Sequence, residues 1–374
     1  MMETKPIGIY VHIPFCKRKC NYCDFCSEAA DEEKIKCYVD ALCEEIKLFT
    51  SKKKIRVNTV FLGGGTPSVL DVKSFKKVFF TLRESFDILS DAEITVEVNP
   101  GTVTEEKALA FVNEGVNRIS IGLQSIHENE LKKLGRIHNF EDFLNTYQLF
   151  KTVGIKNLSV DLMYGIPEQT ISSFEKTLKK ITELKPSHIS CYGLIIEEGT
   201  PFFKNRDNLN LPSEEEEYEM YSLAHKMLTE RGYRHYEISN YAKCGFTSQH
   251  NLKYWRDEEY IGFGISAHSY FEGKRFYNTS NFSEYFTLDR AKYNKEESEQ
   301  KGIDPFEYAM LALRLDDGFS LTEYEKLFGK SFLNGNEEKI KRLSELGFLR
   351  INGDRISLTH EGFYLSNSIL SDLL

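Results

Sequence analysis

The run I-G-I-Y-V-H-I-P-F-C-K-R-K-C-N-Y-C-D-F spans Ile7 to Phe25 and joins an apolar, β-branched stretch to three cysteines in CxxxCxxC spacing. Ile7–Ile13 reads as a strand, and Cys16, Cys20 and Cys23 fall on the loop that follows it. Three thiolates on one short loop can hold three corners of a [4Fe–4S] cluster. The fourth iron is then left without a protein ligand and open to chemistry. The competing reading is a structural zinc knuckle. Zinc usually takes four protein ligands, so Cys26 or His12 would have to supply the fourth.

Further along the chain, β-branched runs recur at Thr59–Leu62, Glu93–Val98, Arg118–Leu123, Asn157–Met163 and His188–Leu194, with helical periodicity between them. Glu33–Phe49 puts Tyr38, Leu42, Ile46 and Phe49 on one face, and Val72–Phe86 and Phe140–Val153 read similarly. Strands alternating with helices of this length predict βα units and a parallel sheet. Six units are two short of a closed eight-fold barrel, so the spacing predicts an α/β fold built on a partial (β/α)6 barrel. The expected division is a core over 1–290, including an accessory segment 212–290, and a small domain over 300–374. Polar Asn294–Gln300 marks the boundary. Beyond it, helices over Pro305–Arg314, Leu321–Phe328 and Glu337–Leu346 precede two short strands around Asn352-Gly353-Asp354, a winged-helix-like pattern.

The 374 residues include 57 acidic and 48 basic side chains, for a net charge of −9. That balance argues against bulk nucleic-acid or anionic-membrane binding. The winged-helix-like region accordingly reads as a lid or docking surface, without a basic recognition helix. No apolar run reaches the length of a membrane span, and the N-terminus enters a strand almost at once, so a cytoplasmic protein is expected. There, eight cysteines stay reduced, which favours metal binding over disulfides.

In α/β barrels, ligands meet the loops at the C-terminal ends of the strands. The cysteine loop follows the first strand, and Gly63-Gly64-Gly65-Thr66-Pro67 follows the second. Those glycines allow close approach to backbone N–H groups, or simply make a tight turn. Glu97 ends the third strand, Gln124 the fourth, and Asp161 lies in the fifth. Each alone is equally an ordinary structural residue. Together, on successive strands, they point to one ligand site.

The motifs Y-V-H-I-P-F-C-x3-C-x2-C, F-L-G-G-G-T-P-S, E-V-N-P, G-L-Q-S, D-L-M-Y-G-I-P, H-Y-E-I-S-N-Y-A and H-N-L-K-Y-W carry a resemblance over essentially the whole chain. It resembles radical S-adenosylmethionine (SAM) proteins of the oxygen-independent coproporphyrinogen III oxidase-like superfamily, and within them the HemW-type heme chaperones. The resemblance implies that Cys16, Cys20 and Cys23 bind a [4Fe–4S] cluster. Its open iron would chelate the amino and carboxylate groups of SAM, where an electron can cleave the sulfonium C–S bond. Tyr10, Gly64, Gly65, Thr66, Glu97, Gln124, Arg136, Asp161 and Gly193 match SAM-contacting positions. Phe25 stands where the oxidases carry a fourth cysteine, and only fifteen residues precede Cys16, in place of their long N-terminal arm. His250, in H-N-L-K-Y-W, matches a candidate heme contact, with Tyr254 and Trp255 beside it. It is equally an internal hydrogen-bonded turn. His268 reads as structural.

The implied function is a chaperone that holds cluster, SAM and heme and delivers heme to apo-hemoproteins. It would meet membranes only through its recipients, and would use a flavodoxin- or ferredoxin-type electron donor if radical chemistry occurs. The alternative is a radical SAM enzyme acting on a tetrapyrrole, an oxygen-independent coproporphyrinogen III oxidase or a heme-modifying enzyme. Whether the protein is an enzyme stays open on the residues alone.

Overall fold

The structure is a computed structural model, and it describes residues 5–49, 54–287, 295–296 and 303–373. Most of the expected boundary Asn294–Gln300 lies outside the described residues.

Six strands alternate with helices in the first half of the chain: β1 (Ile7–Ile13), α1 (Glu32–Phe49), β2 (Arg56–Gly64), α2 (Val72–Ser85), β3 (Asp87–Val98), α3 (Glu105–Asn113), β4 (Arg118–Gln124), α4 (Glu128–Leu134), α5 (Phe140–Thr152), β5 (Asn157–Tyr164), α6 (Ile171–Leu184) and β6 (His188–Gly193). These strands pair in parallel in chain order, with Ile9 beside Val60, Val96 beside Ile119, Val160 beside Ile189. Parallel strands covered on both faces must be apolar on both. Accordingly β4 is buried along its whole length, and β1 at all but Tyr10. Phe75, Phe79, Phe111, Phe143, Phe150 and Phe174 from the surrounding helices fill the outer layer.

Local chemistry sets where the helices begin. Asp71 accepts from Ser74 N at 2.6 Å to cap α2, and Asn139 and Thr170 close capping boxes on α5 and α6. Thr104 caps α3 by accepting from Lys107 N at 3.3 Å. Because every helix returns the chain to the same end of the sheet, all six loops after the strands gather at one mouth.

The sheet continues past these six strands. α7 (Pro201–Lys204) and α8 (Glu214–Thr229) lead to β7 (Arg234–Glu237) and β8 (Asn240–Ala242), antiparallel on the β6 side. α9 (Gln249–Trp255) leads to β9 (Tyr260–Phe263), parallel to β1. β10 (His268–Phe271), β11 (Lys274–Tyr277) and β12 (Lys295–Glu296) extend that edge antiparallel, and α10 (Phe282–Thr287) precedes β12. The result is a mixed twelve-stranded sheet whose centre is the (β/α)6 unit.

The C-terminal region holds α11 (Pro305–Ala312), β13 (Phe319–Ser320), α12 (Leu321–Phe328), α13 (Glu337–Glu345), β14 (Leu349–Asn352), β15 (Arg355–Leu358), α14 (His360–Tyr364) and α15 (Ser366–Leu373). β13, β15 and β14 form a small antiparallel sheet. It docks on the β7 edge. Asp316 N donates to Tyr236 O at 3.1 Å, Ile238 N to Arg314 O at 3.0 Å, and Arg234 pairs with Asp316 at 3.0 Å. Among the described residues, none of this region lines either cavity described below; in place of the expected lid, it packs as a buttress on the sheet edge. Among the described residues, no helix is long and apolar enough to cross a membrane.

Candidate functional site

The cysteine loop leaves β1 and is pinned at its base. Cys16 N donates to Glu28 O, and Glu28 N to Pro14 O, both at 2.9 Å. The Gly-rich loop after β2 clamps the same segment: Gly65 N donates to Ile13 O and Thr66 N to Phe15 O, both at 2.8 Å. Thr66 Oγ1 donates to the Cys16 thiol at 3.4 Å. The glycines are required by this clamp. Gly64 has φ 104°, and a Cβ there would sit 2.4 Å from the His12 ring. A Cβ on Gly65 would meet Phe15 backbone at 2.8 Å. The close approach read from the sequence is thus first an approach of the chain to itself.

Above the clamp opens a cavity of about 340 Å³. Its wall contains Cys16, Cys20 and Cys23, the turn Gly64, Gly65 and Thr66, and Glu97, Gln124, Arg136, Asp161 and Gly193. Six strand-end loops therefore bring together all but two of the residues predicted for cofactor binding. The exceptions are Tyr10 and His250.

Polar groups converge on the cavity and satisfy one another only in part. Gln124 adopts φ 68°, a strained conformation for a non-glycine residue and one that clusters at functional sites. Its Oε1 is buried without a hydrogen-bond partner, and so is Arg136 Nε. The rest of the Arg136 guanidinium donates to Asn99 Oδ1 at 2.8 Å and to Tyr22 OH at 3.1 Å. Gly122 leaves room between these groups. A Cβ there would lie within 3.2 Å of Asn99, Arg136 and Gln124 side-chain atoms.

Lost solvation, aided by Asp161, pushes Glu97 up to about 8, although Gly64 N donates to it at 3.2 Å. Burial raises Asp161 to about 6 against the hydrogen bond from Ser120 at 2.9 Å. Burial likewise raises the Cys16 and Cys23 thiols. A cationic ligand would relieve the two carboxyls, and metal ligation would deprotonate the thiols. Three thiols, orphaned polar atoms and two desolvated acids fit a metal cluster with a small cationic, zwitterionic ligand beside it. In that case the cysteines would hold the cluster, which would supply an electron, and Glu97, Gln124, Arg136 and Asp161 would receive the polar groups of SAM.

Cys26 is not in this wall. Its thiol faces Ser280 O at 3.8 Å, in a second cavity of about 740 Å³ lined by Tyr10, His12, Phe25, Tyr254, Tyr260 and His268, among others. His12 cannot be a fourth metal ligand here either. It accepts from Tyr10 OH at 3.0 Å and donates Nε2–H to Cys26 O at 2.9 Å. Tyr10, predicted as a SAM contact, faces this second cavity.

His250 is only 1% exposed. Its Nδ1 pairs with Thr59 Oγ1 at 2.9 Å, its Nε2 with Tyr254 OH at 2.8 Å, and its ring stacks on Phe61. With both nitrogens engaged and no free face, it has nothing to offer a porphyrin iron in this arrangement. Trp255 packs with Tyr236, Leu252 and Leu315 and hydrogen-bonds Glu237. The H-N-L-K-Y-W stretch thus braces β1, β2 and β7 from behind.

Residues missed from the sequence complete the site. Asn99 sits inside the quoted E-V-N-P and Tyr22 between two ligand cysteines, so position alone could have flagged them. Buried Glu130 ties the loop after β4 to α6 through Ser125, Gln169 and Ser173 at 2.5, 3.1 and 2.6 Å. Nothing in its sequence context marks it.

A three-thiol cavity at the mouth of a six-unit parallel barrel is the mark of the radical SAM class, in which a [4Fe–4S] cluster and SAM lie side by side. The Radical SAM superfamily model matches residues 10–181, and the HemN C-terminal domain model matches residues 304–365. The chain belongs to the HemW heme chaperone family. The heme chaperone HemW of Lactococcus lactis is 35% identical over 100% of this chain and 98% of its own length. That of Escherichia coli is 35% identical over 99% and 98%. Coproporphyrinogen III oxidase (HemN) from E. coli superposes with a TM-score of 0.82 at 23% identity, over 98% of this chain and 89% of its own, a likeness of fold.

Proposed function

We propose that this protein is a heme chaperone that holds a [4Fe–4S] cluster on Cys16, Cys20 and Cys23, binds SAM in the adjoining cavity, and carries heme to apo-hemoproteins. SAM would meet Glu97, Gln124, Arg136 and Asp161, with Gly193 beside it and Gly64, Gly65 and Thr66 bracing the cluster loop. The core 1–290 does this chemistry, and 300–374 supports it. The protein works in the cytoplasm, meets membranes only through its recipients, and draws on a flavodoxin- or ferredoxin-type donor if the cluster is reduced.

The observation that carries this reading is Phe25. It is 59% exposed and lies in the wall of both cavities. An apolar ring held in solvent at that junction suits uptake and release of a flat, apolar ligand, and ill suits an enclosed radical reaction. We assign heme to the second cavity, where Tyr10, Tyr254 and Tyr260 offer aromatic surface and Cys26 and His268 are residue types that ligate heme iron. Ligation by His250 would require breaking one of its two hydrogen bonds and drawing a ring that is 1% exposed out of the core.

The complete SAM constellation keeps the tetrapyrrole enzyme as a second reading. An anaerobic assay with SAM, reductant and coproporphyrinogen separates the two. The chaperone gives no vinyl product, and robust decarboxylation would establish the enzyme. Heme location is tested in parallel: Cys26→Ala and His268→Ala should change the heme spectrum, and His250→Ala should not.

A further inference from the structure

Three histidines meet at the seam between the barrel edge and the C-terminal region. His225 comes from α8, His235 from β7 and His360 from the start of α14. One ring nitrogen from each lies within 4.8 Å of the others. None of them touches either cavity, and none is used by the proposed function.

The hydrogen bonding fixes what these rings can offer. His235 Nε2–H donates to Ile238 O at 3.3 Å, so its Nδ1 carries the lone pair. That lone pair points at His225 Nδ1, 3.2 Å away. A ring nitrogen whose opposite N–H is anchored on a backbone carbonyl is the usual form of a metal-ligating histidine. His360 is the second, independent observation. Both of its ring nitrogens are buried and neither has a hydrogen-bond partner. Unpaired buried polar atoms are costly, and an imidazole with two is unusual unless something else fills the site.

Aromatic neighbours fix two of the rings, and a turn of the third lets all three meet one ion. His360 lies between the Tyr221 ring, 4.5 Å away and nearly parallel, and the His225 ring at 3.7 Å. Tyr221 OH donates to His360 O at 2.9 Å. His235 stacks on Tyr241 at 4.0 Å. His225 is only partly buried, so its ring can turn toward a common point with the other two. The neutral imidazole is the form that ligates.

We propose that His225, His235 and His360 form a second metal site, which takes a divalent ion of the zinc class and staples the C-terminal region to the barrel edge. Imidazole suits zinc, and three ligands leave one position for water. Carboxylate-preferring ions such as Mg²⁺ are excluded by the all-nitrogen donor set.

The test uses untagged, cluster-loaded protein, so that the three cysteines are occupied by iron. After equilibration with Zn²⁺ and removal of free metal, zinc per chain is measured by mass spectrometry and its ligands by X-ray absorption. One zinc per chain is expected, with nitrogen ligands at about 2.0–2.1 Å. It should be lost in His360→Gln and in His225→Gln with iron per chain unchanged. His225→Gln keeps the test decisive if the more buried substitution impairs folding. Zn²⁺ should also raise the melting temperature of the parent protein and not of the variants. The proposal is overturned by no retained zinc, by zinc retained in both variants, or by sulfur ligation of the zinc.

Discussion

Glu237 lies on β7 in H-Y-E-I-S-N-Y and is 1% exposed. Ser239 N donates to its Oε1 at 3.3 Å, and it is also hydrogen-bonded to Asn240 and to the indole of Trp255. Burial outweighs these donors and lifts its carboxyl from 4.5 to about 7. The raised value means that the folded protein holds the proton more tightly than the unfolded chain. The stability this contributes is complete below the unfolded value and is lost as pH rises through about 7. A shift of this size corresponds to about 3 kcal/mol. Glu237→Gln cannot ionise, so it should be spared that loss. Relative to the parent, the variant should gain about 2.5 kcal/mol between about pH 5 and pH 8, whatever its constant offset. Urea unfolding of the apoprotein followed by fluorescence is a direct assay, because Trp255 is the only tryptophan and touches Glu237. If parent and variant lose stability in parallel over that range, Glu237 is ionised in the folded state. Its role as a neutral strut beneath Trp255 would then be wrong.

Replacing Cys16, Cys20 or Cys23 by Ala should abolish the brown chromophore after anaerobic reconstitution, whereas Cys26→Ala should keep it, because Cys26 faces the other cavity. Gly64→Val should lower iron content and stability together, since it forces a branched residue to φ 104° against His12 at a cost of at least about 1–3 kcal/mol. Iron assay and thermal melting read this, and normal iron with weakened SAM binding would restore a direct ligand role for the glycine. Arg136→Leu should weaken SAM by roughly 10- to 150-fold, the worth of a charged hydrogen bond, with iron retained, as measured by equilibrium dialysis.

The barrel was legible because its strands are buried on both faces and therefore read as continuous β-branched runs. Their ends were read to within a few residues, except on β3. Its first five residues are at least partly exposed, and their one apolar pair, Ile88-Leu89, is flanked by Asp87, Ser90 and Asp91 and too short to show a strand period. The flanking strands β7–β11 are three or four residues long, too short for periodicity to show. Strand-end residues such as Glu97 and Asp161 were legible from position, and they line one cavity. Burial was not legible. It is what turns His250 from a heme contact into a doubly bonded core residue. The same limit hid the histidine cluster, whose third member stands far along the chain in another region.

Heme titration of the cluster-loaded protein, followed by mixing with an apo-hemoprotein, tests the central claim most directly. The account predicts a saturable Soret shift in the parent that Phe25→Asp weakens with iron content unchanged, and then movement of that heme to the acceptor. Absence of saturable heme binding, or heme that binds and cannot be passed on, would contradict it.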